Sequence, residues 1–118
     1  MISDISGNRI VALPSTLFES VPELQQLRMD NNELSVLSGR LFHPLKRLVV
    51  MDLSSNLLQT DCDTCLSKRS FQGLSSLIVL NLSNNQISST GPGLFRDMTN
   101  LQSLDMSNNL LTQIPQGM

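Results

Sequence analysis

Two cysteines in the stretch "QTDCDTCLSKRS" have the spacing of a dithiol site. Cys62 and Cys65 form a C-x-x-C motif, which can serve redox chemistry, zinc binding or a small disulfide loop. Redox chemistry needs a helix N-terminus beside the thiols, and the local pattern predicts none. Zinc needs four ligands, whereas the chain has one histidine and no further cysteine. The pattern favours a disulfide in an oxidising compartment, with two free thiols or pairing to cysteines of a longer parent chain as alternatives.

The other reactive side chains do not form a catalytic pattern. His43 lies beside Pro44 in "LFHPLK", a context typical of a solvated loop histidine. Catalysis needs a base positioned against a nucleophile, and no G-x-S-x-G motif surrounds any serine. The sequence also lacks a glycine-rich phosphate loop. It therefore predicts no catalytic residue, no metal site and no cofactor, and it favours a binding protein over an enzyme.

One short motif predicts a covalent modification. Asn81, Leu82 and Ser83 form the acceptor sequence for N-linked glycosylation. Asn81 lies between two leucines of an L-x-L pattern, where a strand would point it outward. We therefore predict that a secreted form of the chain carries a glycan at Asn81, which would cover the surface around it.

Composition argues against two kinds of partner surface. The formal net charge is −2 and the pI is near 5.1, which argues against a nucleic-acid surface. Residues 70–95 carry no charge, but their Asn, Ser and Gln side chains would be left unsatisfied in a bilayer. The first residues have neither the basic region nor the apolar run of a signal peptide. We expect no bound nucleic acid and no membrane-inserted segment within this chain.

A six-residue motif recurs through the chain. "LNLSNN" at residues 80–85 reappears as "LDMSNN", "MDLSSN", "LRMDNN" and the weaker "SDISGN". The second apolar residue of the copies is, in chain order, Ile5, Met29, Leu53, Leu82 and Met106. These positions are 24, 24, 29 and 24 residues apart, so the period is 24 with one five-residue insertion. The consensus L-x-x-L-x-L-x-x-N-x-L at this period is that of a leucine-rich repeat.

The repeat predicts an α/β solenoid. Each L-x-L pair forms a short strand with both apolar side chains inward, and the strands stack in parallel on the concave face of a right-handed coil. The convex side is predicted to be irregular or to hold short helices. The predicted repeats are 1–23, 24–47, 48–76 with the insertion, 77–100 and a truncated 101–118. No cysteine-rich cap flanks this single array.

Two residue types mark fixed positions in every repeat. The repeated asparagine is predicted to point inward and to satisfy backbone groups where the chain leaves the sheet. This structural ladder comprises Asn8, Asn32, Asn56, Asn85 and Asn109. Every phenylalanine falls at one further position, predicted to fill the far side of the core: Phe18, Phe42, Phe71 and Phe95. Since all four are assigned to the core, none is left for a ligand.

The chain resembles the ectodomains of Toll and Toll-like receptors, of the arthropod Toll type. The resemblance rests on "LFHPLKRLVVMDLSSNLL" and "SFQGLSSLIVLNLSNNQI". It implies an interior segment of a longer ectodomain on the extracellular side of the plasma membrane, in a parent anchored by a span outside this segment. It also implies recognition of a protein or microbial ligand, or of a partner receptor. A secreted guidance or adhesion protein and a cytosolic scaffold are the alternatives.

Outward strand residues and the insertion are the predicted binding surface. Arg28 lies between aspartates of neighbouring coils, so it could stabilise the sheet rather than contact a ligand. Val50 and Val79 hold the same outward position on adjacent coils, where apolar side chains could mark a partner site or reflect strand propensity. The candidate ligand-binding residues are Arg28, Val50, Asp52, Val79 and Asp105. The rest of the face, including Asn31 and Asn84, is predicted to be polar and mildly acidic.

Overall fold

The computed structural model of the chain describes residues 2–60, 66, 69–88 and 94–110. Within these residues, five three-residue strands form one parallel sheet in sequential order. They are β1 (Ile2–Asp4), β2 (Gln26–Arg28), β3 (Val50–Asp52), β4 (Val79–Asn81) and β5 (Ser103–Asp105). Turns without a helix connect the strands over the described ranges, and no helix there could cross a membrane. The fold is the predicted parallel-strand solenoid.

The strand register follows the repeat spacing. Gln26 pairs with Val50 across a 24-residue step, and Val50 pairs with Val79 across the 29-residue step that contains the insertion. The strands begin and end one residue earlier than the L-x-L pairs. Leu27 lies at the centre of β2 and Met29 just beyond its end, and both side chains are fully buried. Because Val50 and Val79 pair in register across the longer step, the insertion leaves the sheet unchanged.

A column of stacked rings fills the side of the core opposite the sheet. Phe18 and Phe42 have ring centroids 5.8 Å apart, and the Phe42–Phe71 and Phe71–Phe95 pairs are each 6.4 Å apart. The interplanar angles lie between 14° and 28°, so each ring stacks on the next. Such aromatic pairs contribute about 0.5–1.5 kcal/mol beyond the burial of their area. The predicted phenylalanine column is present, with Phe95 only partly buried.

The inward asparagines bond adjacent coils together. Asn56 is 4% exposed, and its Nδ2 donates to the carbonyl of Leu53 at 3.0 Å and to that of Met29, one coil earlier, at 3.1 Å. Its Oδ1 accepts the amide of Leu34 at 3.1 Å. The same pattern recurs at Asn85. Asn8 differs because it is exposed and bonds only within its own coil.

The residue before each inward asparagine has a left-handed backbone. The φ angles lie between 56° and 72° at Gly7, Asn31, Ser55, Asn84 and Asn108. Glycine and asparagine adopt this region most readily. The sequence analysis treated Asn31 and Asn84 only as polar surface residues. The structure shows that they also reverse the chain, which explains why asparagine recurs at this position.

Replacing Asn56 by alanine should destabilise the chain by about 2–4 kcal/mol, since it leaves buried backbone donors and acceptors of two coils unpaired. Asn8→Ala is the matched control at the equivalent position, and we expect it to cost less than about 1 kcal/mol because that side chain is exposed. Urea denaturation followed by circular dichroism measures both. Equal, small effects would contradict a stabilising role for the inward asparagines.

Candidate interaction surface

The outward side chains of the five strands and of the residues just after them form a continuous surface, here called the strand face. In four coils, an aspartate or asparagine at the strand end is followed two residues later by serine. The Oδ1 of Asp52, for example, accepts the amide of Ser54 at 2.9 Å and its hydroxyl at 2.6 Å. The same two bonds join Asp4 to Ser6, Asn81 to Ser83 and Asp105 to Ser107. Each acceptor is therefore held in place by its own coil.

Hydrogen bonds from serine lower the pKa of two of these side chains, Asp4 and Asp105. The hydroxyl of Ser6, then its amide, and then the more distant Arg28 lower the pKa of Asp4. The amide and hydroxyl of Ser107 lower the pKa of Asp105. Donated hydrogen bonds favour the charged form of a carboxyl group because they stabilise its negative charge. The strand face is therefore acidic at both ends at neutral pH.

Arg28 breaks this pattern in the second coil. It replaces the usual acceptor, and Asp30 replaces the usual serine. A guanidinium nitrogen of Arg28 lies 3.3 Å from Oδ2 of Asp30, and another lies 3.5 Å from Oδ2 of Asp4 on the neighbouring strand. Asp52 is in register with Arg28, yet among the described residues it forms no ion pair with it. The predicted pairing thus holds on one side of Arg28 only.

The sequence analysis included Asp30 only in the polar outward face and did not single it out. It is a buried carboxylate, and its Oδ2 accepts the side-chain amide of Asn31 at 2.9 Å. Its Oδ1 is buried without a hydrogen-bond partner. The signal was available, because Asp30 is the only charged residue in a column otherwise made of serines. The Arg28–Asp4 pair itself is about half exposed, so it contributes at most about 1 kcal/mol.

The apolar part of the strand face is smaller than the sequence suggested. Val50 and Val79 are paired across β3 and β4, but both are half-buried. More exposed apolar side chains lie on the flank, directly after the inward asparagines: Leu57 is 41% exposed and Leu110 is 61% exposed. Sequence analysis did not single out these two, although the consensus marks the residue directly after the asparagine as variable and places the core leucine one residue later.

Asn81 occupies the middle of the strand face. It pairs in register with Asp52 on one side and Asp105 on the other, and it is half-buried. Its Oδ1 accepts the amide and hydroxyl of Ser83 at 3.0 and 2.7 Å. Its Nδ2, the atom that a glycan would occupy, makes no hydrogen bond to a described residue.

Two further sequence predictions concern residues away from the strand face. Cys62 and Cys65 lie outside the described residues, so their disulfide remains a prediction. His43 is in a turn on the side opposite the sheet, but it is less solvated than predicted, because its Nδ1 is buried without a partner. In the ranges that the structure describes, no three His, Cys, Asp or Glu residues converge in a way that could hold a metal ion.

Comparison with known proteins identifies the repeat. A family model described as leucine rich repeat matches residues 4–58 and 64–116. Over 56 residues the chain is 41% identical to Toll-like receptor 9 of Ovis aries, covering 47% of this chain and 5% of that protein. The chain therefore spans about one twentieth of this curated relative.

Two solved structures are similar over nearly the whole chain. One is a chain of the glycosylated Drosophila Toll–Spatzle complex, with a TM-score of 0.86 and 30% identity, covering 98% of this chain and 16% of that one. The other is the leucine-rich repeat domain of APL1B, with a TM-score of 0.85 and 25% identity, covering 96% of this chain and 33% of that one. The first similarity supports the resemblance to Toll-type receptors, and the second supports the leucine-rich repeat fold.

The pKa of Asp4 tests whether the hydrogen bonds from Ser6 or the ion pair with Arg28 contribute more to stabilising its carboxylate. We expect Ser6→Ala to raise the pKa of Asp4 more than Arg28→Gln does, because the serine hydroxyl is the larger cause of the lowering. A lowered pKa adds stability above the ordinary value near 3.8, and this stability is lost as the pH falls through the folded-state pKa. Ser6→Ala should therefore weaken the acid dependence of unfolding. Carboxyl-carbon NMR titration measures the pKa, and a larger rise in Arg28→Gln would show that the ion pair dominates.

Proposed function

The chain belongs to the leucine-rich repeat family, and from this we propose that it is an extracellular protein-recognition module of a Toll-type receptor. The observation that carries the proposal is its similarity, over 98% of its length, to a chain of the Drosophila Toll–Spatzle complex. That structure is of Toll in complex with Spatzle, and we expect the partner here to be a protein ligand or a partner receptor ectodomain. The parent protein would be anchored in the plasma membrane.

The strand face has the properties that a recognition surface needs. Its acceptors are fixed before any partner arrives, and preorganisation reduces the entropy lost on binding. Arg28, Asp52 and Asp105 would provide charged contacts, and Val50 with Val79 would provide a small apolar centre. The insertion that contains Cys62 and Cys65 would add a lateral contact, in keeping with the way repeat insertions map to one face.

The same geometry argues against catalysis at this face. The hydroxyls of the four serines that follow the strand ends each donate to a neighbouring side chain over 2.6–2.7 Å: Ser6, Ser54, Ser83 and Ser107. A carboxylate with a lowered pKa, as at Asp4 and Asp105, is a weak general base. These pairs are therefore suited to holding the surface in shape rather than to activating a serine.

A second candidate is a leucine-rich repeat protein without receptor signalling. It is favoured by the similarity to the APL1B domain, whose TM-score of 0.85 nearly equals that of the Toll chain. Both candidates place partner recognition on the strand face, and they differ in what the parent protein does after binding.

A glycan at Asn81 tests the extracellular assignment. This is the only N-x-S/T motif in the sequence. We expect the chain secreted from eukaryotic cells to carry a glycan there, seen by mass spectrometry before and after enzymatic deglycosylation. Asn81→Asp is a matched control, because aspartate already occupies this position in three other coils and should keep the bonds to Ser83. An unmodified Asn81 peptide from secreted protein would contradict the prediction.

Partner binding through the strand face can be measured directly. The secreted chain would be tested by surface plasmon resonance against Spatzle and against arrayed extracellular proteins and receptor ectodomains. We expect at least one protein to bind, and expect Arg28→Gln or a Val50→Ser, Val79→Ser double variant to weaken that binding about tenfold, or about 1.4 kcal/mol.

Glu19→Gln, on the side opposite the sheet, serves as the control and should leave the affinity within about twofold. Binding that responds equally to Glu19→Gln and to the strand-face variants would contradict recognition through the strand face. If no arrayed protein binds, the recognition proposal itself fails.

A further inference from the structure

Asp30 occupies a position at which the other coils have serine. The alternation of side chains along β2 places it on the outward side of the chain, two residues after Arg28. Its exposure is nevertheless only 5%. In four other coils this position supplies a hydroxyl donor to the residue at the strand end, whereas an ionised carboxylate can only accept hydrogen bonds. The second coil therefore has a surplus of acceptors on the strand face.

One oxygen of the Asp30 carboxylate has hydrogen-bond partners and the other has none. Oδ2 accepts from Nη2 of Arg28 at 3.3 Å and from Nδ2 of Asn31 at 2.9 Å. Oδ1 is buried without a hydrogen-bond partner. Arg28 and Asn31 are themselves exposed, so the carboxylate lies just beneath the strand face rather than in the apolar core. A buried charged oxygen without a donor is costly, and its position here points to a donor supplied from outside the chain.

The charges around Asp30 do not balance. Arg28 is in register with Asp4 on one side and with Asp52 on the other. It is ion-paired with Asp4 and Asp30, whereas Asp52 has no ion pair within the described ranges. These four residues, here called the Arg28 cluster, therefore comprise three carboxylates and one guanidinium group.

The basic residues near the strand face do not remove this excess of carboxylates. Among the described residues of the strand face, Arg28 is the only lysine or arginine. Arg47, which lies three residues before β3, is ion-paired with Glu23 over 2.6 Å. Arg9 lies on the flank directly after Asn8, and Glu33 holds the same position one coil later. The insertion adds no net charge, because its two acidic and two basic residues balance: Asp61, Asp63, Lys68 and Arg69.

We propose that the Arg28 cluster binds a lysine or arginine side chain of the protein partner. The cation would donate to the unpaired Oδ1 of Asp30, and charge-assisted hydrogen bonds of this kind are strong. Asp52, on the adjacent coil, would be its second contact. The side chain of Arg28 is about half exposed, so it can move aside to admit the cation without unpacking the core. The inference rests on the proposed recognition function and adds the chemistry of the partner, whose contact surface is basic.

Arg28 holds two of these carboxylates in place. Its guanidinium group contacts Asp4 on the neighbouring strand and Asp30 in its own coil. Removing that group would free both side chains to turn away from the partner. Weaker binding of the partner to Arg28→Gln is therefore expected, even though this variant makes the strand face more acidic.

Synthetic peptides test the site without the natural partner. A short peptide that alternates arginine and serine supplies the cation, and the same peptide with glutamate in place of arginine is the control. We expect the arginine peptide to shift the carboxyl-carbon NMR resonances of Asp30 and Asp52 at a lower concentration than that of Asp97. Asp97 lies in the turn that carries Phe95, opposite the sheet. The glutamate peptide should shift none of the three, and calcium chloride is the comparison for a metal ion.

Asp52→Asn and Asp97→Asn form a matched pair of variants. Asparagine already holds the position of Asp52 in the next coil, where Asn81 keeps both bonds to its serine, so Asp52→Asn should fold normally. We expect Asp52→Asn and Asp30→Asn each to weaken binding of the arginine peptide about tenfold. Asp97→Asn makes the same charge change opposite the sheet and should leave the affinity within about twofold.

Three results would overturn the proposal. The first is an Asp30 resonance that the arginine peptide does not move, which would indicate that water alone satisfies Oδ1. The second is equal weakening of peptide binding by Asp52→Asn and Asp97→Asn. The third is a shift of the Asp30 resonance by calcium chloride at a lower concentration than by the arginine peptide, which would indicate a metal site.

Binding to the arrayed proteins separates this inference from the recognition proposal. A partner found there should bind Asp30→Asn and Asp52→Asn about tenfold more weakly than the unchanged chain. A partner that responds to the Val50→Ser, Val79→Ser double variant but binds both aspartate variants normally would contradict this inference alone. A chain that binds the arginine peptide but none of the arrayed proteins would support the cation site and contradict the recognition proposal.

Discussion

The structure depends on how the chain leaves the sheet in each coil. A three-residue strand ends abruptly, and its last carbonyls would be buried without partners, which is costly. Asn56 and Asn85 satisfy these groups. The side-chain amide nitrogen of each donates to backbone carbonyls of two coils, and its side-chain oxygen accepts one backbone amide. A left-handed residue just before each asparagine turns its side chain inward. The inward asparagine and the left-handed residue before it therefore act together, and this pair recurs along the solenoid.

The arrangement of the strand face follows from this repeated turn. Because each strand ends at a fixed turn, the aspartate or asparagine at the strand end accepts hydrogen bonds from the serine two residues later in four coils, and these bonds hold both side chains in place. The single departure, Arg28 with Asp30, creates a charged bridge between neighbouring coils and leaves one carboxylate oxygen buried and unpaired. The strand face is thus regular except at one coil, and that coil distinguishes the two ends of an otherwise repetitive surface.

The sequence predicted those features that the period alone determines. The 24-residue step set the strand register, the phenylalanine stack and the inward asparagines, because every copy must pack identically on the next. The period could not predict features that depend on where coils meet. The partner of Arg28 inside its own coil and the burial of the Asp30 carboxylate depend on side-chain directions in three dimensions. The left-handed turn at Ser55 was also missed, because serine does not signal that conformation.

The five-residue insertion is absorbed without disturbing its neighbours. On one side of it the amide of Leu58 still bonds to Asn85 at 3.1 Å, and on the other the ring of Phe71 still stacks on Phe42. Since longer loops add only slowly to the entropy of closure, this site should accept foreign segments of varied length. The coil between β3 and β4 is thus a natural grafting point, where a new binding loop could be displayed on an unaltered scaffold.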